Sequence, residues 1–310
     1  MIEILRVDVG PISGTASADG PSSCEIAIDL HLPERLADRP VLMVCLPGGG
    51  VTRHYFDMDG GPETAFSFAR AMTAAGHVVC AMDPVGVGDS TRPEDGFALT
   101  VAVQAELTHR ALEQVRRTVV HGIDLSALPC IGLGHSAGAM LTGARQATFR
   151  DCSAVILLCF GTGGLPQHLA PEHLAALSEP DRGRSRLVEL ARAAFGGQSY
   201  FEVPPRENDT PVGRALRAVH APTLALTAIQ AMMPGNIAPE LAIIDVPVFV
   251  AVGDRDMVGP PHLLGADYVA SPDFTLYVVP DAGHNVFVAP AARRLYDRIV
   301  NWLGGLDWPA

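Results

Sequence analysis

The apolar run Leu128-Pro129-Cys130-Ile131-Gly132-Leu133 ends in Gly134-His135-Ser136-Ala137-Gly138, and a helix-forming stretch from Met140 to Ala147 follows almost at once. A chain that passes from strand to helix in so few residues holds Ser136 in a cramped backbone, where glycines on both sides leave room that a Cβ would take away. The segment therefore predicts an α/β layer with a serine hydroxyl at the carboxyl edge of a strand. A serine held there is suited to nucleophilic attack if a base and an acid follow it.

A second pattern overlaps the first. Gly132-x-Gly134-x-x-Ala137 fits the dinucleotide-binding form G-x-G-x-x-G/A, which needs a carboxylate about 20 residues on, at the end of the next strand, to hold the ribose. That strand, Ala154–Phe160, runs instead into Gly161-Thr162-Gly163-Gly164. The pattern also sits mid-chain rather than at a first βα turn, so a nucleotide-dependent oxidoreductase is a remote alternative.

The serine reading requires Asp or Glu and then His, in that order, at the ends of later strands. Val246–Val252 is such a strand and empties into Gly253-Asp254-Arg255-Asp256. Phe274–Val279 is the next and empties into Pro280-Asp281-Ala282-Gly283-His284. Order, strand context and loop context all agree.

Other elements fill in the frame. Ile2–Val9 and Ser23–Leu32, separated by turn-rich residues around Gly10–Gly14 and Asp19–Pro21, predict an antiparallel hairpin. Val41–Leu46 is continuously apolar, as a strand covered by helices on both faces should be. Glu63–Ala75 and Val101–Val119 predict helices around the strand His77–Met82, and this alternation specifies a mostly parallel sheet. It breaks between Gly161 and Ile244, where nine prolines punctuate short helical segments such as Glu172–Leu177, Arg186–Phe195 and Leu224–Met233. That stretch is too long for a connection and too apolar for a linker. We expect residues 1–160 and 245–310 to form the core and 161–244 a helical cap or lid.

Composition narrows the partners. A hydrophobic fraction of 48% supports a full core, while a net charge of −12 leaves no basic surface for phosphates, so neither nucleic acid nor an anionic membrane is an expected partner. No apolar run reaches the 18 or so residues of a membrane span. The alternating N-terminus lacks the pattern of a secretory signal, and Cys45, Cys80, Cys130 and Cys159 fall in apolar strands, as small buried residues rather than a disulfide framework. A cytoplasmic protein is the expectation.

With these residues placed, the chain resembles the α/β-hydrolase superfamily over roughly residues 25–305. Asp83-Pro84-Val85-Gly86-Val87-Gly88-Asp89-Ser90 resembles its D-x-x-G-x-G-x-S turn, and Leu46-Pro47-Gly48-Gly49-Gly50 its H-G-G-G-type loop, with Pro47 in place of the usual histidine. The resemblance implies an α/β-hydrolase fold, a mostly parallel central sheet flanked by helices, and a triad of Ser136, His284 and a carboxylate. Asp254 and Asp256 share a face of an extended loop. The G-x-x-D pattern of relatives selects Asp256 and leaves Asp254 as a loop-ordering group. The same resemblance assigns the oxyanion donors to the N–H of Ala137 and to one from the glycine loop, Gly49 ahead of Gly50.

The implied function is a serine hydrolase that cleaves a carboxylic ester of a small to medium, largely apolar substrate through an acyl-enzyme. A thioesterase, carbon–carbon bond hydrolase, lactonase, amidase or acyltransferase uses the same triad, and a non-catalytic binding relative is a further alternative. No cofactor and no metal is expected, since His168 and His173 lack zinc-helix spacing. His135 reads as packing around the elbow, Arg53 and His54 as substrate-facing or solvated loop residues, and Met232 and Met233 as pocket lining or cap core. The oligomeric state stays open, a homodimer among the options.

Overall fold

The computed structural model describes residues 1–12, 23–60, 66–176, 186–203 and 209–307. Eight strands form one sheet: β1 (Ile2–Gly10), β2 (Cys24–His31), β3 (Leu42–Leu46), β4 (Val78–Met82), β5 (Cys130–His135), β6 (Ala154–Leu158), β7 (Val248–Gly253) and β8 (Phe274–Val279). Their spatial order is β1-β2-β4-β3-β5-β6-β7-β8. The pairs β1/β2 and β2/β4 are antiparallel, and all the others are parallel. The expected N-terminal hairpin and parallel sheet are both present, although the turn expected within residues 13–22 lies outside the described residues.

Strand periodicity divides the core into two layers. Leu42, Val44 and Leu46 point to the face covered by α2 (Val101–Arg116) and α3 (Ala137–Phe149). Val41, Met43 and Cys45 point to the other, where Phe68 of α1 (Phe68–Ala74) packs with Phe287 and with Leu295 and Tyr296 of the C-terminal helix Ala292–Gly305. Both faces of the central strands are thus dry, which explains their uninterrupted apolar sequence.

The helix at 101 starts where expected, capped by the Thr100 hydroxyl on the Val103 N–H at 3.2 Å, but ends at Arg116 rather than Val119. Val119–Val120 instead pairs with Ile123–Asp124 across His121-Gly122, both with positive φ. Two residues with φ > 0 make the tight hairpin turn that this ribbon requires. Helix α1 begins at Phe68, with Ser67 as its cap. The expected start, Glu63, lies outside the described residues.

Between β6 and β7 lie α4 (Pro171–Ala176), α5 (Leu187–Ala194), α6 (Pro211–Ala218), α7 (Ala225–Met232) and α8 (Ala238–Leu241), with a ribbon pairing Tyr200–Phe201 and Thr223–Leu224. Leu187, Leu190, Leu226, Ile229 and Met233 form a separate apolar cluster with Phe97. Ile237, Leu241 and Ile244 join the main core, so the last turn of this segment is anchored to the sheet layer.

One buried ion pair ties α2, α3 and the approach to β6 together. Arg145 has no exposure, and its Nε donates to Asp151 at 3.3 Å, while His109 stands 2.9 Å from the same carboxylate. Burial alone would raise the Asp151 pKa, yet Arg145, His109 and the Cys152 thiol pull it down to about 2. Asp151→Asn strands the Arg145 charge, an expected loss of about 3–5 kcal/mol by denaturant titration. The folded pKa lies below the unfolded value of about 3.9, so the stabilisation is complete above about pH 4 and fades as pH falls through about 2. An Asn variant whose midpoint matches wild type at pH 7 would show that the pair contributes nothing.

Candidate active site

Ser136 ends β5 and begins α3 with φ 54° and ψ −118°, a backbone that residues bearing a Cβ rarely adopt. The flanking glycines are sterically required. A Cβ at Gly134 would stand 2.2 Å from the Gly138 carbonyl oxygen, and one at Gly138 would stand 2.1 Å from the Leu46 carbonyl oxygen. The elbow is therefore pressed against the end of β3, and strain held by such packing is characteristic of functional sites.

The loops after β7 and β8 converge on it. His284 Nε2 is 2.8 Å from Ser136 Oγ, and His284 Nδ1 is 2.8 Å from Asp256 Oδ1. The Asp256 side chain is 1% exposed and that of His284 20%. Burial alone would raise the Asp256 pKa, but His284, the Cys159 thiol and the Val258 N–H together hold it below the usual carboxylate range. Asp256 is thus an ionised acceptor that fixes the imidazole with its proton on Nδ1 and leaves Nε2 facing the serine. Asp254 does something different: its two oxygens accept the N–H groups of Asp281 and Ala282, both at 3.0 Å, and tie the two loops together. Asp281 is 80% exposed, with its carboxylate 3.9 Å from Arg255.

His135 borders the same cavity as Ser136 and His284 but is only 2% exposed. It is buried, its Nε2 is 2.8 Å from the His284 carbonyl oxygen, and burial together with the neighbouring His284 pushes its pKa down to about 3. A neutral ring that donates to that carbonyl steadies the His284 loop.

The first N–H groups of α3 have no intrahelical acceptor. Ala139 and Met140 donate to the Ser136 carbonyl at 2.9 and 3.1 Å, which leaves those of Ala137 and Gly138 at the turn. Gly50, at φ +82°, is oriented by its carbonyl accepting the Ala221 N–H at 2.9 Å. Gly49 and Gly50 border a cavity of about 740 Å³ that also contains Ser136 and His284. Ala137 borders a smaller adjoining cavity that shares the same two glycines.

The structure corrects one of the remaining sequence readings and decides between the alternatives of another. Arg53 is neither substrate-facing nor solvated: it is 4% exposed and bonded to Asp29 at 2.9 Å, Asp83 at 2.5 Å and Asp89 at 2.9 Å. His54 joins the same cluster through Asp29 at 3.2 Å. The Asp83–Ser90 turn closes it, since Ser90 Oγ donates to the Asp83 carbonyl at 2.6 Å and accepts the Ala27 N–H at 2.8 Å. Met232 and Met233 pack with the helices between β6 and β7, and the large cavity is walled instead by residues such as Val212, Leu216 and Met257.

Cys159 is not in β6 but just past its end. It is buried with φ 55°, and its thiol lies among the Asp256 and His284 ligand atoms, all within 4.8 Å of one another. This is the one grouping of three metal-type donors among the described residues. Burial and Asp256 push its thiol well above its ordinary pKa, so the thiolate a metal would need is disfavoured. Nothing in the apolar run Ala154–Phe160 marks Cys159 as a site residue; only the spatial meeting of β6 and β7 does.

The chain belongs to the Alpha/beta hydrolase family, whose model matches residues 43–294. No curated protein matches it. Among solved structures it is similar to DcsB in complex with its substrate analogue, at 15% identity and TM-score 0.65, covering 97% of this chain and 98% of that one. A thermophilic esterase from Thermogutta terrifontis shares 20% identity at TM-score 0.62, with 97% and 98% covered. The thioesterase domain from the curacin biosynthetic pathway shares 15% at TM-score 0.60, with 97% and 99% covered. At these identities the likeness establishes the fold, and family membership supports hydrolytic chemistry. No helix among the described residues is long and apolar enough to cross a membrane.

Proposed function

We propose that the protein is a carboxylic-ester hydrolase acting through a serine acyl-enzyme, with Ser136 as nucleophile, His284 as general base and then general acid, and Asp256 as the orienting carboxylate. The observation that carries this reading is the unbroken chain of 2.8 Å contacts from Asp256 through His284 to Ser136 Oγ at the wall of a large cavity. In this reading His284 Nε2 takes the serine proton as Oγ attacks the ester carbonyl, and the N–H groups of Ala137 and of Gly49 or Gly50 receive the developing oxyanion. His284 then returns the proton to the departing alcohol, and water repeats the sequence to release the acid.

The alcohol side of the substrate occupies the 740 Å³ cavity, because the proton donor, His284, lies there. Its wall combines apolar residues such as Val212, Leu216, Met257 and Val288 with His220, Arg255 and Asp281, and the apolar part supports a small to medium, largely apolar molecule. Val203, Val212, Leu216 and His220 come from the segment 161–244, which supports a lid role for that segment. Leu216→Ala is accordingly expected to change kcat/KM unevenly, by about 10-fold or more for bulky alcohols and little for methyl esters. A uniform effect across a panel of esters would remove the segment from the specificity pocket. The six free cysteines, all buried, fit a cytoplasmic setting.

Incubation with a fluorophosphonate probe followed by peptide mass spectrometry tests the nucleophile. Labelling is expected at Ser136. A protein left unlabelled under conditions that label known serine hydrolases would overturn the reading.

A further inference from the structure

The smaller cavity beside the elbow is lined by the glycine loop, by Ala137, Gly138 and Leu141 of α3, by Val101 and Gln104 of α2, and by Pro222–Leu224. Most of its wall is apolar, yet two polar side chains in it each leave one oxygen unpaired within the protein. Gln104 is 2% exposed; its Nε2 donates to the Val85 carbonyl at 2.6 Å, while Oε1 has no hydrogen-bond partner. Thr223 is 7% exposed, and its Oγ1 has no partner either. The Thr223 side chain packs directly on the glycine loop, its Cγ2 3.2 Å from where a Cβ of Gly49 would be. Two unpaired polar groups in one small cavity carry a free-energy cost that a bound ligand with matching groups relieves.

From this we infer that the cavity between α2, α3 and the glycine loop binds a short acyl group that carries a hydroxyl. The inference rests on the esterase reading for its orientation. His284 protonates the leaving alcohol, which places the alcohol in the large cavity; with the carbonyl oxygen at Ala137 and the glycine loop, the acyl chain turns into the small one. Chemistry selects the hydroxyl. Gln104 Oε1 only accepts a hydrogen bond, whereas Thr223 Oγ1 both donates and accepts. A hydroxyl donates to the first and accepts from the second, while a plain alkyl chain leaves both unpaired. Size selects the chain length. The cavity volume is about 40 Å³. That is room for a short chain of a few heavy atoms beyond the carbonyl. A hydroxypropionyl or hydroxybutyryl group is of that size.

The test compares benzyl 3-hydroxybutyrate with benzyl butyrate, using wild-type protein, Thr223→Val and Gln104→Leu. Wild type is expected to prefer the hydroxy ester by about 10- to 100-fold in kcat/KM, and both variants to bring that ratio close to one. Thr223→Val keeps the side-chain shape, so it remains informative if Gln104→Leu, which loses its bond to Val85, melts early. Equal turnover of the two esters by wild type, or a preference that survives both variants, would overturn the inference and leave ordered water as the occupant. Failure of the esterase reading looks different: neither ester is cleaved and Ser136 is not labelled by fluorophosphonate. In that case calorimetric titration of wild type and Thr223→Val with sodium 3-hydroxybutyrate and sodium butyrate decides. At least tenfold tighter binding of the hydroxy acid, lost in Thr223→Val, supports the cavity assignment, and equal binding overturns it.

Discussion

Ser136→Ala is expected to lower ester turnover by a factor on the order of 10⁶ in kcat, with the folded structure retained. Two features make the change clean. The elbow is positioned by backbone contacts, with the Ser136 N–H donating to the Leu158 carbonyl at 2.8 Å, while the hydroxyl engages His284. Alanine keeps the Cβ that the left-handed backbone already accommodates, so the melting temperature should move by a few degrees at most. His284→Ala should fail comparably, and the double variant should be little worse than either single one, because the groups act as a unit and their losses do not add. Turnover by Ser136→Ala within tenfold of wild type would exclude Ser136 as the nucleophile.

The part of this site that was legible in the sequence is the part set by local rules. Strand, glycine and loop patterns located Ser136, the Asp254/Asp256 pair and His284 in the loops after β5, β7 and β8, each following its own apolar run, and the family resemblance singled out Asp256. Arg53 was not legible in the same way. Its partners Asp29, Asp83 and Asp89 lie 24, 30 and 36 residues away and converge only because β2 pairs with β4. Cys159 is a similar case, since an apolar strand reads the same whether or not its next residue turns towards the acid. For Met232 and Met233 the sequence left two readings, pocket lining or cap core, and the structure selects the second. Helical spacing identifies an apolar face but does not say whether that face covers a cavity or a neighbouring helix, and here α7 packs on α5. The smaller cavity was beyond the sequence for the same reason, because Gln104 and Thr223 are 119 positions apart and line one cavity only in the folded chain.

The two candidate acids are told apart most sharply by a paired substitution. Asp256→Asn is expected to lower kcat by about 10⁴-fold, since an amide beside Nδ1 no longer selects the imidazole tautomer that presents a basic Nε2 to the serine, and no longer offsets the imidazolium charge. Asp254→Asn is expected to cost less than tenfold. Its side chain is 41% exposed, and an amide oxygen can still accept one of the two N–H groups that the carboxylate holds. The two positions also differ in the acid range. The Asp256 carboxyl is held below its ordinary value, so its ionised form stabilises the fold fully above about pH 4 and loses that contribution only as pH falls through the depressed folded value. Protonation of Asp256 therefore does not limit turnover between pH 5 and 8, and the Asp256→Asn defect should persist across that whole interval. A large loss in Asp254→Asn with a mild one in Asp256→Asn would reverse the two roles, and would mean that the 2.8 Å contact between Asp256 and His284 is not the one used in turnover.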